Sequence, residues 1–117
     1  MTAEPIKVER VSVVVPAESL EPSVAFWTSL LGAPTFVDDR GWAQFDVGSG
    51  GGRLAVGAAG ERPEGVTVMV KVSSLDDAVA GLRAAGVEIG DVEVGAHERK
   101  ASLRGPAGEH VVLYAPS

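Results

Sequence analysis

Arg10 is the residue whose type and position most clearly suggest chemistry. It interrupts the valine-rich segment VERVSVVV, residues 8–15, and alternation along a strand places Arg10 and Ser12 on one face. The planar guanidinium of an arginine held on a strand can bind an anion or a carbonyl oxygen of a ligand. The alternative interpretation is a structural ion pair, with Asp46 or Glu109 as the partner.

The two histidines, His97 and His110, are the other side chains that could do chemistry near neutral pH. His110 is a candidate catalytic base, and a solvated turn histidine is the alternative interpretation. The chain has no cysteine, which excludes disulfides, thiolate metal sites and cysteine nucleophiles. It also lacks a Walker motif, a G-x-S-x-G elbow and an H-E-x-x-H pair. A familiar catalytic motif therefore does not reveal the function.

The candidate residues lie on strands of a unit that the sequence contains twice. A valine-rich strand, a helix that stops at glycine, and strands around a glycine turn occur in residues 8–57 and again in residues 66–115. The polar segment 58–65 links the two repeats. A repeat of this kind predicts the same structural unit twice. We therefore predict one α+β domain over residues 1–117, in which two βαβββ repeats form a cupped mixed β-sheet with a shared concave face, the cup.

Local patterns predict the elements of each repeat. The first helix is predicted from Ser19 to Gly32 and the second from Ser74 to Gly86, each with a polar N-cap and a terminal glycine. Apolar residues at helical spacing predict a buried stripe on the first helix: Val24, Phe26, Trp27, Leu30 and Leu31. Alternation predicts a buried valine face on the strand 66–72: Val66, Val68, Val70 and Val72. The other strands are predicted at about 34–38, 42–47, 53–57, 88–94, 98–104 and 109–115.

The charge and the hydrophobic pattern of the chain limit the kinds of partner that it is expected to bind. The formal net charge of −6 at pH 7 disfavours binding to nucleic acid and to anionic membrane surfaces, which need clustered lysine and arginine. No apolar run approaches the roughly 20 residues of a membrane span. The first ten residues lack the basic and apolar pattern of a secretory signal. We therefore expect a cytoplasmic protein that binds neither nucleic acid nor membranes.

Three segments in the right order resemble the vicinal oxygen chelate superfamily, which contains glyoxalase I, extradiol dioxygenases and bleomycin resistance proteins. SVAFWTSLLGAP resembles its first helix, SLDDAVAGLRAAGVEI its second helix, and GPAGEHVVLY its final hairpin and strand. Gly105-Pro106 replaces the Asp-Pro of the family at that hairpin. The resemblance covers about residues 8–115. It implies a small-molecule site in the cup and, together with the strand edges that the fold leaves uncovered, a homodimer.

The resemblance also implies where a metal ion would bind. Metal-dependent members hold a divalent ion with His, Glu or Gln from the first and last strand of each unit, and the matching positions here are Arg10, Ala55, Thr67 and Val112. Arginine carries a permanent cation, alanine and valine have no donor atom, and threonine is a poor ligand alone. We therefore expect neither a metal ion nor another cofactor.

The residues expected on the cup face form the predicted ligand-binding site: Arg10, Trp42, Gln44, Thr67, Met69, Ser102, Arg104, Val112 and Tyr114. An aromatic such as Trp42 can stack on a planar ligand, although a place in the core is the alternative for a tryptophan. The predicted function is metal-independent binding of a small organic molecule, similar to sequestration by bleomycin resistance proteins. The alternatives are a cofactor-independent or glyoxalase/dioxygenase-like enzyme for a small carbonyl or aromatic substrate, and an accessory protein without a ligand.

Overall fold

The computed structural model describes residues 7–48 and 50–116. The described chain divides into two compact units: residues 11–67 form the first unit, and residues 7–10 with 68–116 form the second. The expectation of no secretory signal rests in part on residues 1–6, and the predicted glycine turn includes Ser49. These residues lie outside the described ranges.

The elements follow one another in the predicted order, βαβββ twice, which confirms the α+β fold class. They are β1 (Val8–Pro16), α1 (Leu20–Leu31), β2 (Phe36–Asp38), β3 (Trp42–Val47), β4 (Gly52–Gly57), a 3₁₀ turn (Ala59–Glu61), β5 (Thr67–Val72), α2 (Leu75–Ala84), β6 (Glu93–Val94), β7 (Glu98–Arg104) and β8 (His110–Pro116). Neither helix in the described ranges is long and apolar enough to cross a membrane.

The strands of the first unit are arranged in the order β2-β3-β4-β1. β1 runs parallel to β4, whereas β2–β3 and β3–β4 are antiparallel. Helix α1 packs on β3 and β4, where Phe45 and Val56 are fully buried. Burial of side chains of this size stabilises the fold by about 1.5–3 kcal/mol each. The core is made by Ala17, Ala43, Phe45, Val56 and Ala58, packed against Leu20, Val24 and Trp27 of the α1 segment.

The predicted buried stripe of α1 is only partly right. Val24 and Trp27 pack against the core, but Phe26 and Leu30 are 60% and 66% exposed. Leu31 is 37% exposed. Because each helical residue advances by about 100°, positions 26 and 30 lie across the helix from position 24. The prediction placed apolar residues from both sides of the helix on one face.

The second unit has the strand order β5-β8-β7-β6, with antiparallel pairing of β7 to β6 and to β8. Helix α2 packs on β7 and β8. The hydroxyl of Ser74 accepts a hydrogen bond of 3.3 Å from the Asp77 amide, which confirms the predicted N-cap. The core consists of Val72, Leu75, Ala78, Val79, Ala101, Leu113 and Ala115.

Two predictions for the second repeat are wrong. The predicted strand 88–94 is reduced to β6, and before it the Arg83 guanidinium donates to the carbonyl oxygens of Ile89 and Gly90 at 3.4 and 3.3 Å. A side chain from α2 thus binds backbone acceptors that a regular strand would pair with a neighbour. Val66 was predicted on the buried valine face, but it precedes β5 and is 60% exposed.

Candidate functional site

Alternation along the strands gives the first unit a face that α1 does not cover, called here its helix-free face. Phe45 and Val56 turn towards α1, so Gln44 and Ala55 point to the opposite side. Backbone register places Ala55 between Gln44 and Val14. The neighbouring rows of this face are Trp42, Gly57 and Pro16 on one side, and Asp46, Arg53 and Ser12 on the other.

Trp42 and Gln44, both predicted ligand-binding residues, form a hydrogen-bonded pair on this face. The indole Nε1 of Trp42 donates to Oε1 of Gln44 at 3.0 Å, and both side chains are half-buried. The bond satisfies the polar edge of the indole and restrains the rotation of both side chains. The structure therefore brings together a planar apolar surface and an amide, which the sequence could only place on the same strand face.

The turn before Trp42 is held by an aspartate and a glycine. Asp38 accepts hydrogen bonds from the backbone N, Nε and Nη2 of Arg40 at 3.0, 3.1 and 2.9 Å, and this contact lowers the pKa of the Asp38 carboxyl. Gly41 follows at φ +132°, with its carbonyl accepting from the Ala58 amide at 2.7 Å. A Cβ at Gly41 would collide with the Ala58 carbonyl. This close approach fixes the start of β3, and with it the position of Trp42.

An ion pair occupies the opposite row. Arg53 donates from Nε and Nη2 to the carboxylate of Asp46 at 2.6 and 3.3 Å. The two residues are cross-strand neighbours on β4 and β3. Asp46, considered above as a partner for Arg10, binds Arg53. The structural ion pair of Arg10 stays a prediction.

Ser12 is a buried polar residue of this face that was not predicted as part of the site. Its side chain is 4% exposed, and its Oγ has no hydrogen-bond partner within the described ranges. Arg10 lies on the same face of β1 and is half-buried. A buried hydroxyl left unsatisfied costs about 1–3 kcal/mol. The signal available in the sequence was a single polar side chain among the valines of residues 11–15.

The second unit has a helix-free face of its own. Ala101 and Leu113 turn towards α2, so Ser102, Val112 and their alternate neighbours point to the opposite side. Cross-strand pairs on this face are Ser102 with Val112, Lys100 with Tyr114, and Arg104 with His110. Five predicted site residues thus share one face: Ser102, Arg104, His110, Val112 and Tyr114. Met69 of β5 also points away from α2, because Val70 and Val72 pack against the α2 cluster.

Two of the predicted site residues have contacts typical of structural roles. Arg104 is exposed, and its Nη1 donates to the carbonyl oxygen of Gly108 at 3.1 Å, within the turn that joins β7 to β8. Thr67 is 3% exposed, and its hydroxyl donates to the carbonyl oxygen of Gly65 at 3.0 Å. These contacts hold the chain at the ends of β7 and β5.

A surface depression of about 380 Å³ lies in the second unit. Glu88, Ile89, Gly90, Leu103 and Arg104 line it. Arg104 is the one predicted site residue that it contains.

Comparison with solved structures identifies the fold of the chain. No protein-family model and no curated protein matches the chain. A glyoxalase/bleomycin resistance protein/dioxygenase superfamily member from Vibrio splendidus 12B01 superposes with a TM-score of 0.68, at 13% identity over 93% of this chain and 99% of that one. The chain has the vicinal oxygen chelate fold. The resemblance predicted from the sequence is thus confirmed for the fold.

Two further structures share the vicinal oxygen chelate fold with this chain. Methylmalonyl-CoA epimerase from Mycobacterium tuberculosis matches with a TM-score of 0.63, at 19% identity over 100% of this chain and 93% of that one. A structure described as NAD-dependent benzaldehyde dehydrogenase from Legionella pneumophila matches with a TM-score of 0.76, at 16% identity over 92% and 99%. These proteins have different described activities, so the fold does not identify the function.

The residues at the metal positions of the vicinal oxygen chelate fold do not fit a metal ion here. Ala55 and Val112 have no donor atom, and the hydroxyl of Thr67 is bonded to Gly65. In residues 7–48 and 50–116, no group of three or more His, Cys, Asp or Glu side chains is placed to hold a metal ion. The chelating chemistry of metal-dependent members has no set of ligands at these positions.

Proposed function

We propose that this protein binds a small organic molecule, without a metal ion, on the helix-free face of the first unit. The observation that carries the proposal is the buried hydroxyl of Ser12, which has no partner within the described ranges. A ligand acceptor or donor that reaches this hydroxyl, once the side chains that cover it move aside, would recover the free energy that its burial costs. The apolar residues at Ala55 and Val112 support the metal-independent part of the proposal.

The chemistry of the face suits a planar ligand with polar edges. Trp42 offers an indole surface for stacking, and its bond to Gln44 restrains it in advance, which reduces the entropy lost on binding. Ala55, in the strand next to this pair, has only a methyl side chain, whereas the Gly57 backbone is covered by the carbonyl of Glu61 and the ring of Pro63. The ligand class that fits is a planar aromatic or conjugated carbonyl compound.

Binding without turnover, as in the bleomycin resistance proteins that share the fold, is the function we favour. The carboxylates of the helix-free face within the described part of the first unit are Asp38 and Asp46, and each is held by an arginine. A free general base on this face is therefore not among the described residues. The second candidate is a cofactor-independent enzyme, favoured by the placement of His110 beside Arg104 on the second unit.

Tryptophan fluorescence tests the proposal directly, because Trp27 and Trp42 are the only tryptophans in the chain. In the Trp27→Phe variant, all indole emission comes from Trp42. We expect saturable changes in this emission when chelator-treated protein is titrated with a panel containing bleomycin, planar aromatic acids and small conjugated carbonyl compounds. The reciprocal Trp42→Phe variant, which retains Trp27 on the α1 side, is the control and should show no saturable change.

Ser12→Ala distinguishes the proposed site from binding elsewhere. The variant should weaken the best panel compound at least tenfold, about 1.4 kcal/mol, while unchanged affinity would overturn the assignment. About one Zn, Ni, Fe or Mn per purified chain by elemental analysis would contradict metal independence. Conversion of a panel compound, lost in His110→Gln and unaffected by Ser12→Ala, would favour the enzyme.

A further inference from the structure

Arg53 has more hydrogen-bond donors than its ion pair uses. An arginine carries five N–H donors on a planar guanidinium. Nε and Nη2 of Arg53 donate to the Asp46 carboxylate at 2.6 and 3.3 Å, and the side chain makes no other hydrogen bond to the described residues. Three of its N–H donors, two of them on Nη1, therefore have no acceptor in residues 7–48 and 50–116.

The burial of Arg53 distinguishes it from a surface arginine that makes the same contact with an aspartate. Arg40 also donates from Nε and Nη2 to one carboxylate, that of Asp38, at 3.1 and 2.9 Å. The Arg40 side chain is 88% exposed, so water can satisfy its other donors, whereas the Arg53 side chain is 21% exposed. Polar groups withdrawn from water are costly without a partner. The remaining donors of Arg53 are therefore suited to an acceptor on a ligand.

The neighbour of Arg53 on β1 is also a donor without an acceptor. Backbone register places Ser12 on one side of Arg53 and Asp46 on the other, all on the helix-free face of the first unit. The Ser12 side chain is 4% exposed, and its hydroxyl has no partner in the described part of the chain. This row thus holds N–H and O–H donors that lack acceptors, and such donors are the groups that bind an oxyanion.

We propose that Arg53 binds a carboxylate of the ligand through the edge formed by Nη1 and Nη2, while Asp46 holds the guanidinium in position. This inference rests on the proposed function and narrows the ligand class to planar aromatic acids. The parallel N–H groups of an arginine match the two oxygens of a carboxylate. Because Asp46 already offsets part of the positive charge, a singly charged carboxylate fits better than a doubly charged phosphate. Arg53 is then the residue that determines specificity, and Asp46 is a positioning residue.

The spacing of the rows sets the length of the ligand. Nε1 of Trp42 lies at the amide of Gln44, and Asp46, the partner of Arg53, follows two residues further along β3. Two residues of a strand span about 6.6 Å. A ring stacked on the indole would therefore bring its acid group to Arg53 on a short conjugated arm, as in an arylacrylate such as trans-cinnamate.

Matched ligands and matched variants test the proposal. trans-Cinnamate and trans-cinnamamide have nearly the same shape and differ in charge, and equilibrium dialysis with chelator-treated protein measures the affinity for each. The wild-type protein should bind the carboxylate at least tenfold more tightly than the amide, about 1.4 kcal/mol. Arg53→Gln should abolish this preference. Arg99→Gln, which removes the same charge from an ion pair with Asp76, should retain it.

The outcomes separate this inference from the proposed function. Equal affinities of the wild-type protein for the two compounds, or a preference that survives in Arg53→Gln, would overturn the role of Arg53 and leave the proposed function standing. Saturable binding of an uncharged panel compound without binding of trans-cinnamate would do the same. Loss of the preference in Arg99→Gln would assign it to overall charge and contradict the proposal. If no panel compound binds, the proposed function and this inference are both overturned.

A measurement on the wild-type protein covers the case in which Arg53→Gln does not fold. In ¹⁵N NMR spectra of the arginine side chains, saturating trans-cinnamate should shift the Nη resonances of Arg53, whereas trans-cinnamamide should leave them in place. Assignment through bonds from the Arg53 backbone amide requires no variant. Unshifted Nη resonances with trans-cinnamate bound would contradict the proposal.

Discussion

The indole Nε1 of Trp42 lies 3.0 Å from Oε1 of Gln44, two residues further along the same strand. The two side chains are half-buried on the helix-free face of the first unit, so their hydrogen bond is partly shielded from water. Their bond therefore contributes both to stability and to the preorganisation of the proposed site.

Replacement of the amide by an apolar side chain tests this bond. Gln44→Leu should lower the free energy of unfolding by about 0.5–1.5 kcal/mol, because the indole N–H of Trp42 loses its acceptor. Urea denaturation followed by circular dichroism measures the change. Gln44→Glu retains an acceptor oxygen and is the matched control; equal losses in the two variants would show that the hydrogen bond is not the cause.

Removal of two buried hydroxyls, one at a time, should change the free energy of unfolding in opposite directions. Ser12→Ala deletes a hydroxyl without a partner in the described ranges and should raise the free energy of unfolding by about 1 kcal/mol. Thr67→Val deletes a hydroxyl bonded to Gly65 and should lower it by about the same amount. Thermal denaturation in the absence of ligand measures both, and a destabilised Ser12→Ala protein would show that the hydroxyl has a stabilising partner.

Substitution by alanine should destabilise the protein more at Gly41 than at Gly32, which also has a positive φ. Gly32→Ala adds only backbone strain, because φ is +89° and nothing lies within 4 Å of the added Cβ; such strain costs about 1–3 kcal/mol. Gly41→Ala adds a collision with the Ala58 carbonyl to the same strain. Chemical denaturation should therefore give a lower free energy of unfolding for Gly41→Ala than for Gly32→Ala. The reverse order would contradict the close approach of Gly41 to the Ala58 carbonyl.

The Asp38 carboxyl should titrate below the ordinary pKa of an aspartate, because Arg40 donates hydrogen bonds to it. A lowered pKa in the folded state means that the contact stabilises the protein above the unfolded pKa. That stabilisation is lost as pH falls through the lower folded value. Carboxyl ¹³C NMR titration measures the midpoint directly. In Arg40→Gln the pKa should return towards the ordinary value, and an unchanged midpoint would assign the shift to another cause.

The Arg10→Ala variant distinguishes a ligand-binding role of Arg10 from a structural one. If its guanidinium binds the ligand, Arg10→Ala should reduce affinity more than tenfold, about 1.4 kcal/mol, with an unchanged melting temperature. If it forms a structural ion pair instead, the same substitution should lower the melting temperature and leave affinity unchanged. Calorimetric titration and thermal denaturation of this one variant distinguish the two roles, and loss of stability alone would remove Arg10 from the proposed site.

The features that the sequence predicted well depend on residues close together in the chain. The Ser74 cap is a contact between residues three apart, and Gly32 ends α1 with the positive φ that favours glycine. The alternation of β3 and β4 placed Gln44 and Ala55 on one face because strand period is a local property. Repetition of these local patterns was enough to predict the fold.

The details of the site depend on register and on contacts between distant segments. The Arg53–Asp46 pair exists because β3 and β4 align these two residues, and no local pattern specifies that alignment. That the Ser12 hydroxyl has no partner among the described residues depends on what surrounds it in the folded protein. The exposed positions of α1 were misassigned for a related reason, since hydrophobicity alone does not distinguish a residue that faces the sheet from one that faces away from it.

The strand order of the second unit determines when its sheet can be completed. β8 follows every other strand in sequence, yet it lies between β5 and β7 rather than at an edge. During synthesis, β5 and β7 therefore expose unpaired hydrogen-bonding edges until β8 has been made. Exposed edges of this kind favour aggregation. The charges of β7, in the segment ERKASLR, oppose such pairing with other chains. Removal of β8 would consequently split the sheet of this unit in two, so extensions after residue 116 should be tolerated far better than truncations before it.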